Sequence, residues 1–128
     1  MTDALVAKAR EVMAHAHAPY SRFRVGAAIE AEDGRVFVGC NVENASYGLT
    51  ICAERMAVGA AVAAGATRFR RIALTTQVDP PGPPCGACRQ VLAEFGLGLE
   101  VLAAGPASER RWVLRALLPD AFTRESLG

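Results

Sequence analysis

The stretch Met56-Ala57-Val58-Gly59-Ala60-Ala61-Val62-Ala63-Ala64 constrains this chain more than any other. It follows Cys52-Ala53-Glu54-Arg55 and stops at Gly65, so residues 52–64 read as one helix closed by a glycine. Beyond Arg55 the helix is apolar on every side and has no face suited to water. A chain of 128 residues has few ways to bury such a helix completely. A sheet can cover one side. The other side calls for a second copy of the chain, and Gly59 with its alanine neighbours would let like helices approach closely.

Around this helix the pattern alternates. Thr2 is placed to cap a first helix whose apolar face is Leu5, Val6, Ala9, Met13 and Ala16, ending before Pro19. Residues 23–29 and 35–40 read as two strands joined at the Glu32-Asp33-Gly34 turn. After the apolar helix come a strand at 71–76, a Pro/Gly loop at 80–84 and a short helix at 85–95 ended by Gly96. Strands are expected at 99–103 and 112–115. A hairpin followed by alternating helices and strands predicts a single α/β domain over residues 1–128, with a mixed sheet between layers of helix.

Composition narrows the function. Hydrophobic residues make up 52% of the chain, enough for a core of its own, yet no 18-residue apolar run crosses a membrane. Met1-Thr2-Asp3-Ala4 lacks the basic and apolar regions of a signal peptide, so a cytoplasmic location is expected. Lys and Arg number 14 against 13 Asp and Glu, a net charge of +1 that argues against gripping a polynucleotide. The clusters Arg68, Arg70, Arg71 and Arg110, Arg111 read as solvated strand flanks. A small neutral substrate fits better.

Four cysteines in a reducing compartment point to metal or catalytic chemistry rather than disulfides. Pro84-Cys85-Gly86-Ala87-Cys88 opens one predicted helix, and Cys52-Ala53-Glu54 opens another. Cys85 and Cys88, three apart in a first turn, point the same way. Cys52 supplies a third thiolate, and the fourth tetrahedral position stays open for water, as in a catalytic zinc site. Helix N-termini stabilise thiolates. Three thiolates still leave an excess of negative charge, which Arg55 is placed to soften by donating to a sulfur. Glu54, two residues from Cys52, points away from the metal but stands beside its water, where a proton shuttle belongs.

Two other arrangements compete. A closed structural site would add Cys40, but only one C-x-x-C pair exists, and Cys40 ends an apolar strand as a buried thiol does. A Cys–His nucleophilic pair would need His15 or His17, both expected to face solvent at the end of the first helix.

C-x-E followed by P-C-x-x-C is the established zinc-deaminase signature. Further blocks extend the likeness: Tyr20-Ser21-Arg22-Phe23-Arg24-Val25-Gly26-Ala27-Ala28, Gly39-Cys40-Asn41-Val42-Glu43-Asn44-Ala45-Ser46-Tyr47, and Leu117-Leu118-Pro119-Asp120-Ala121-Phe122. With residues 52–55 and 84–90, they make the chain resemble the small homotetrameric cytidine deaminases from about residue 20 to 122. The resemblance implies a three-layer α-β-α domain on a mixed five-stranded sheet. It also implies one zinc per chain on Cys52, Cys85 and Cys88, with Glu54 moving protons as activated water attacks C4 of cytidine or deoxycytidine. That activity belongs to pyrimidine salvage. Asn41 and Glu43 would bind the ribose 3′-hydroxyl, Phe23 would line the nucleoside pocket and the Ala53 backbone would meet the base. Phe122 would come from a neighbouring subunit, and Tyr47 would stand near a boundary. One departure is visible: the loop through Pro81-Gly82-Pro83-Pro84 is a residue or two shorter than in the family.

Neighbouring activities are separable. A blasticidin-type aminonucleoside deaminase would share the metal spacing, but the 117–122 tail resembles the cytidine enzymes. Polynucleotide-editing deaminases present His where this chain has Cys52. A zinc-stabilised binding module, the reading from a different class, would bind but not turn over cytidine.

Overall fold

A computed structural model describes residues 3–128. Helix α1 (Ala4–Met13) leads into an antiparallel hairpin, β1 (Gly26–Ala31) and β2 (Val36–Cys40), turned at Gly34 with φ of 93°. Helix α2 (Ala53–Ala63), strand β3 (Phe69–Thr75), helix α3 (Gly86–Ala93) and strand β4 (Glu100–Ala104) follow. Strand β5 (Glu109–Val113) and the single turn α4 (Leu114–Leu117) complete the regular core. The five strands lie in the order β2-β1-β3-β4-β5, with only β3 and β4 parallel. The expected mixed sheet is present.

Strand alternation divides the buried residues between two faces. Ala28, Ala73, Leu102 and Ala104 meet Leu5, Val6 and Ala9 of α1. On the other face, Ile29, Ile72, Leu74 and Val101 pack with Ala57, Val58 and Ala61 of α2 and Leu92 of α3. This is a three-layer sandwich. Gly39 brings α2 directly onto β2, since a β-carbon there would overlap Ala57 N and Ala53 O. Gly26 does the same for α1 against Ala9 O.

Several boundaries differ from the sequence expectation. Residues 23–25 are not strand, because side chains take their backbone groups. Asn41 Oδ1 accepts from Val25 N at 2.8 Å, and Asn41 Nδ2 donates to Phe23 O at 2.8 Å. Ser21 Oγ accepts from Phe23 N and Gln77 Oε1 accepts from Arg24 N. The last strand begins at Glu109 rather than 112, and residues 114–117 form a helical turn. As an edge strand, β5 carries charge on both faces, Arg111 reaching Glu100 at 3.0 Å on one and Arg110 stacking on Trp112 on the other. A polar edge strand lacks the apolar alternation that marks strands in sequence.

The helix expected to be apolar all round buries only one side in the single chain. Met56 is 37% and Val62 43% exposed, with Gly59, Ala60 and Ala63 on the open surface. His15 and His17 are exposed, as expected.

Thr2, the expected cap of the first helix, lies outside the described residues, and the cap observed is Asp3. Its carboxylate accepts from Leu5 N at 2.8 Å and pairs with Arg71 of β3 at 2.6 Å. Arg71 also meets Glu30. The Arg71 hydrogen bond, ahead of the Leu5 amide, holds the Asp3 carboxyl below its ordinary value. A depressed carboxyl stabilises the fold above the unfolded pKa, about 4, and that contribution fades as pH falls through the folded value. Asp3→Ala is expected to lose about 0.5–2 kcal/mol at neutral pH in denaturant melts. Its midpoint should converge on that of the unsubstituted chain as pH falls below about 4.

Candidate active site

Helices α2 and α3 start at the same point in space. Cys52 is the N-cap of α2, Cys85 is the N-cap of α3, and Cys88 stands in the first turn of α3. No capping hydrogen bond occupies either sulfur at the two caps. All three sulfurs lie within 4.8 Å of one another, and Cys52 Sγ is 3.8 Å from Cys85 Sγ. Tetrahedral zinc–sulfur bonds of about 2.3 Å hold sulfurs ~3.8 Å apart, so the cluster has the dimensions of a zinc site. Cys40 stands outside it, which removes the four-cysteine arrangement.

Protonation of the cluster also asks for a cation. Hydrogen bonds from Cys88 and then Cys85, helped by the Arg55 charge, bring the Cys52 thiol down to about 6. Cys88 moves the other way, because its proton is shared with Cys52, it is buried, and Glu54 and Cys52 surround it with negative charge. One thiolate forms readily and the next is opposed. A divalent cation between the sulfurs lifts that opposition. Arg55 is exposed and contributes through its charge; among the described residues no hydrogen bond joins it to a sulfur.

Beside the sulfurs opens a cavity of about 390 Å³, within the range of small-molecule sites. Cys52 and Cys85 line it together with Ala53 and Glu54, and Phe23, Asn41 and Glu43 join them from earlier in the chain. Glu54 is 5% exposed, and burial is the main reason its carboxyl is raised above the ordinary value. Ala53 is fully buried at the first position of α2, where the backbone N–H has no acceptor within the helix. Glu43 Oε1 accepts from Tyr20 N and Ser21 N, and Oε2 from Ser21 Oγ. The Ser21 hydroxyl, before the backbone amides, holds that carboxyl below its ordinary value.

Two expected residues lie elsewhere. Tyr47 is 74% exposed and packs edge-on against Tyr20 in an adjoining hollow that shares Ser21, Glu43 and Thr50 with the main cavity. Phe122 is outside the cavity of its own chain and 59% exposed. A larger cleft of about 680 Å³ between α3 and the tail holds none of the cysteines. Sequence reasoning assigned no role to Ser21, Leu74 or Thr76, all of which line the cavity. Ser21 had a readable signal, since a serine two residues before Phe23 is placed to accept its amide. The short loop is part of the wall, with Gly82 and Pro83 facing the cavity while Pro81 and Pro84 are buried.

A family model described as the cytidine and deoxycytidylate deaminase zinc-binding region matches residues 1–104. The chain belongs to this deaminase family. Cytidine deaminase from Sporosarcina psychrophila is 42% identical over 128 residues, covering 98% of this chain and 94% of that protein. The Mycobacterium tuberculosis cytidine deaminase is 50% identical over 119 residues, 93% of this chain and 87% of that one. Among solved structures, cytidine deaminase from Burkholderia pseudomallei superposes with a TM-score of 0.89 at 49% identity, over 95% of this chain and all of that chain. This family member is a zinc-dependent hydrolytic deaminase, and Cys52, Cys85 and Cys88 form the cluster able to hold its metal. No helix is long and apolar enough to cross a membrane.

Metal analysis should find about one zinc per deaminase chain. Cys85→Ala and Cys88→Ala should each lose it and melt at lower temperature, because binding is coupled to folding. Cys40→Ala should keep it. Full zinc in both of the first two variants would remove them from the ligand set.

Proposed function

We propose that this enzyme hydrolyses the 4-amino group of free cytidine and deoxycytidine, yielding uridine or deoxyuridine and ammonia. The observation that carries the proposal is the placement of the buried Glu54, its carboxyl raised above the ordinary value, in the cavity lined by Cys52 and Cys85 of the three-sulfur cluster and by Glu43. Relatives named cytidine deaminase over nearly the whole chain support the same substrate. A substrate with a planar amidine at one end and sugar hydroxyls at the other matches this distribution of groups.

When bound, the zinc supplies Lewis acidity that makes water nucleophilic near neutral pH. Glu54 takes a proton from the attacking water and delivers it to ring N3 as the oxygen adds to C4. The same carboxyl then takes the proton of the new C4 hydroxyl and passes it to the 4-amino group, which leaves as ammonia while the C4 carbonyl forms. One group protonates and deprotonates in turn, and a carboxyl raised by burial suits both directions. The Ala53 N–H is free to meet the base, and Phe23 flanks it. Glu43 accepts the ribose 3′-hydroxyl on the remaining acceptor position of Oε2, since Tyr20 N and Ser21 N occupy Oε1 and Ser21 Oγ occupies the other position of Oε2. Asn41 has one donor and one acceptor spent on the 23–25 backbone, and turns its remaining capacity to the sugar.

The active form is a cytoplasmic homotetramer of single-domain subunits, serving pyrimidine salvage. The open apolar side of α2 packs against like helices, and the exposed Phe122 enters a neighbour's nucleoside cavity.

Glu54→Gln should retain zinc and lose turnover by at least about 10²–10⁴-fold, read as the fall in ultraviolet absorbance of cytidine. Activity within a few-fold of the unsubstituted enzyme would end the shuttle role. A zinc-stabilised binding module predicts no turnover in either protein. Asn41→Ala and Glu43→Ala should weaken nucleoside use, and free cytosine should be a very poor substrate, because a site built for a hydroxyl discriminates against its absence. Efficient deamination of cytosine would count against the sugar contacts. Light scattering should give four chains, and mixing Glu54→Gln with Phe122→Ala subunits should restore part of the activity each lacks alone.

A further inference from the structure

The tail after α4 is held along α3 by contacts to its backbone. Arg89 donates through Nε to Pro84 O at 2.7 Å and through Nη1 to Leu117 O at 2.8 Å. The next residue, Gln90, donates from Nε2 to Phe122 O at 2.7 Å. At the far end of the helix Glu94 pairs with Arg124 at 3.1 Å. Between these anchors Asp120 takes a φ of 52°, bending the chain, and the Phe122 ring is left on the outside. Among the described residues, the bond to Gln90 is the one hydrogen bond that Phe122 makes.

We propose that Gln90 is a positioning residue for the active site of a neighbouring subunit, holding the Phe122 backbone so that the exposed ring is aimed into that neighbour's nucleoside cavity. The inference rests on the trans role of Phe122 proposed above. An aromatic ring on an irregular segment samples many directions, and each must be given up when it closes over a substrate. Anchoring the carbonyl of the same residue removes the nearest backbone freedom before binding. The anchor is rigid because Gln90 sits in α3, whose first turn carries Cys88 and whose N-cap is Cys85. One helix thus serves the metal of its own chain and the substrate pocket of the next. Gln90 itself is exposed and packs in no core, so its replacement leaves the fold intact.

Gln90→Glu keeps the shape and removes the donor. In the zinc-loaded enzyme, KM for cytidine is expected to rise about two- to tenfold, the equivalent of one net hydrogen bond, while kcat, zinc content and melting temperature stay unchanged. Gln90→Lys, which retains a donor, should recover most of the loss. The trans direction is read by mixing Gln90→Glu subunits with an excess of Glu54→Gln subunits. All turnover then comes from Gln90→Glu chains, whose neighbours mostly carry an intact Gln90. A return of KM to the unsubstituted value supports the proposal. A KM that stays raised, or one never raised in Gln90→Glu, overturns it. Phe122→Ala separates the two readings: if KM and kcat are unchanged in that variant, the role of Phe122 itself has failed.

Discussion

Three cysteine sulfurs within 4.8 Å of one another repel once they ionise, and the layout of the fold follows from relieving that repulsion. Two helices begin at the cluster, so their free N–H groups and dipoles face the sulfurs. Arg55 adds a positive charge nearby, and a divalent cation answers the remainder. The same crowding makes Glu54 useful. Buried next to sulfur, it holds its proton more tightly than a solvated carboxyl, which suits the proton transfer proposed for it.

Placing two helix starts at one point requires close layers. Gly39 lets α2 rest on the backbone of β2, and the parallel β3–β4 pair places α3 beside it on the same sheet face. The cavity beside the sulfurs then opens where the hairpin stops being regular. Asn41, buried on the strand side, occupies backbone groups of residues 23 and 25 that a ladder would otherwise use, and Phe23 is released toward the cavity. Glu43 closes the same segment through Tyr20 and Ser21. The wall of the site is therefore irregular chain in which side chains of Ser21, Asn41 and Glu43 satisfy backbone groups beside scattered backbone bonds such as Glu43 N to His17 O.

The surface of one chain carries exposed apolar groups that suit the assembly proposed for it. The outer side of α2, the Tyr20–Tyr47 pair and the Phe122 ring are apolar and exposed, while their backbones are well anchored. Anchored but uncovered aromatic groups are suited to meeting a partner rather than filling a core.

Sequence alone determined the chemistry-bearing groups and the order of the main elements. Cysteine spacing at the start of α3 is local, and helical geometry puts Cys85 and Cys88 on one side. Cys52, 33 positions from Cys85, was legible as their companion through the resemblance of the C-x-E and P-C-x-x-C signature. Apolar periodicity likewise marked α1, β1 and the core of β3, because burial of one face is written into the pattern. Tertiary structure decided what depends on partners distant in the chain. That Asn41 keeps the first strand from starting before residue 26, that Asp3 caps α1 while pairing with Arg71, and that Gln90 holds Phe122 are contacts across 16, 68 and 32 positions. The exposed strand β5 was blurred for the opposite reason: an edge strand facing water needs no apolar alternation, so its sequence carries little periodic signal.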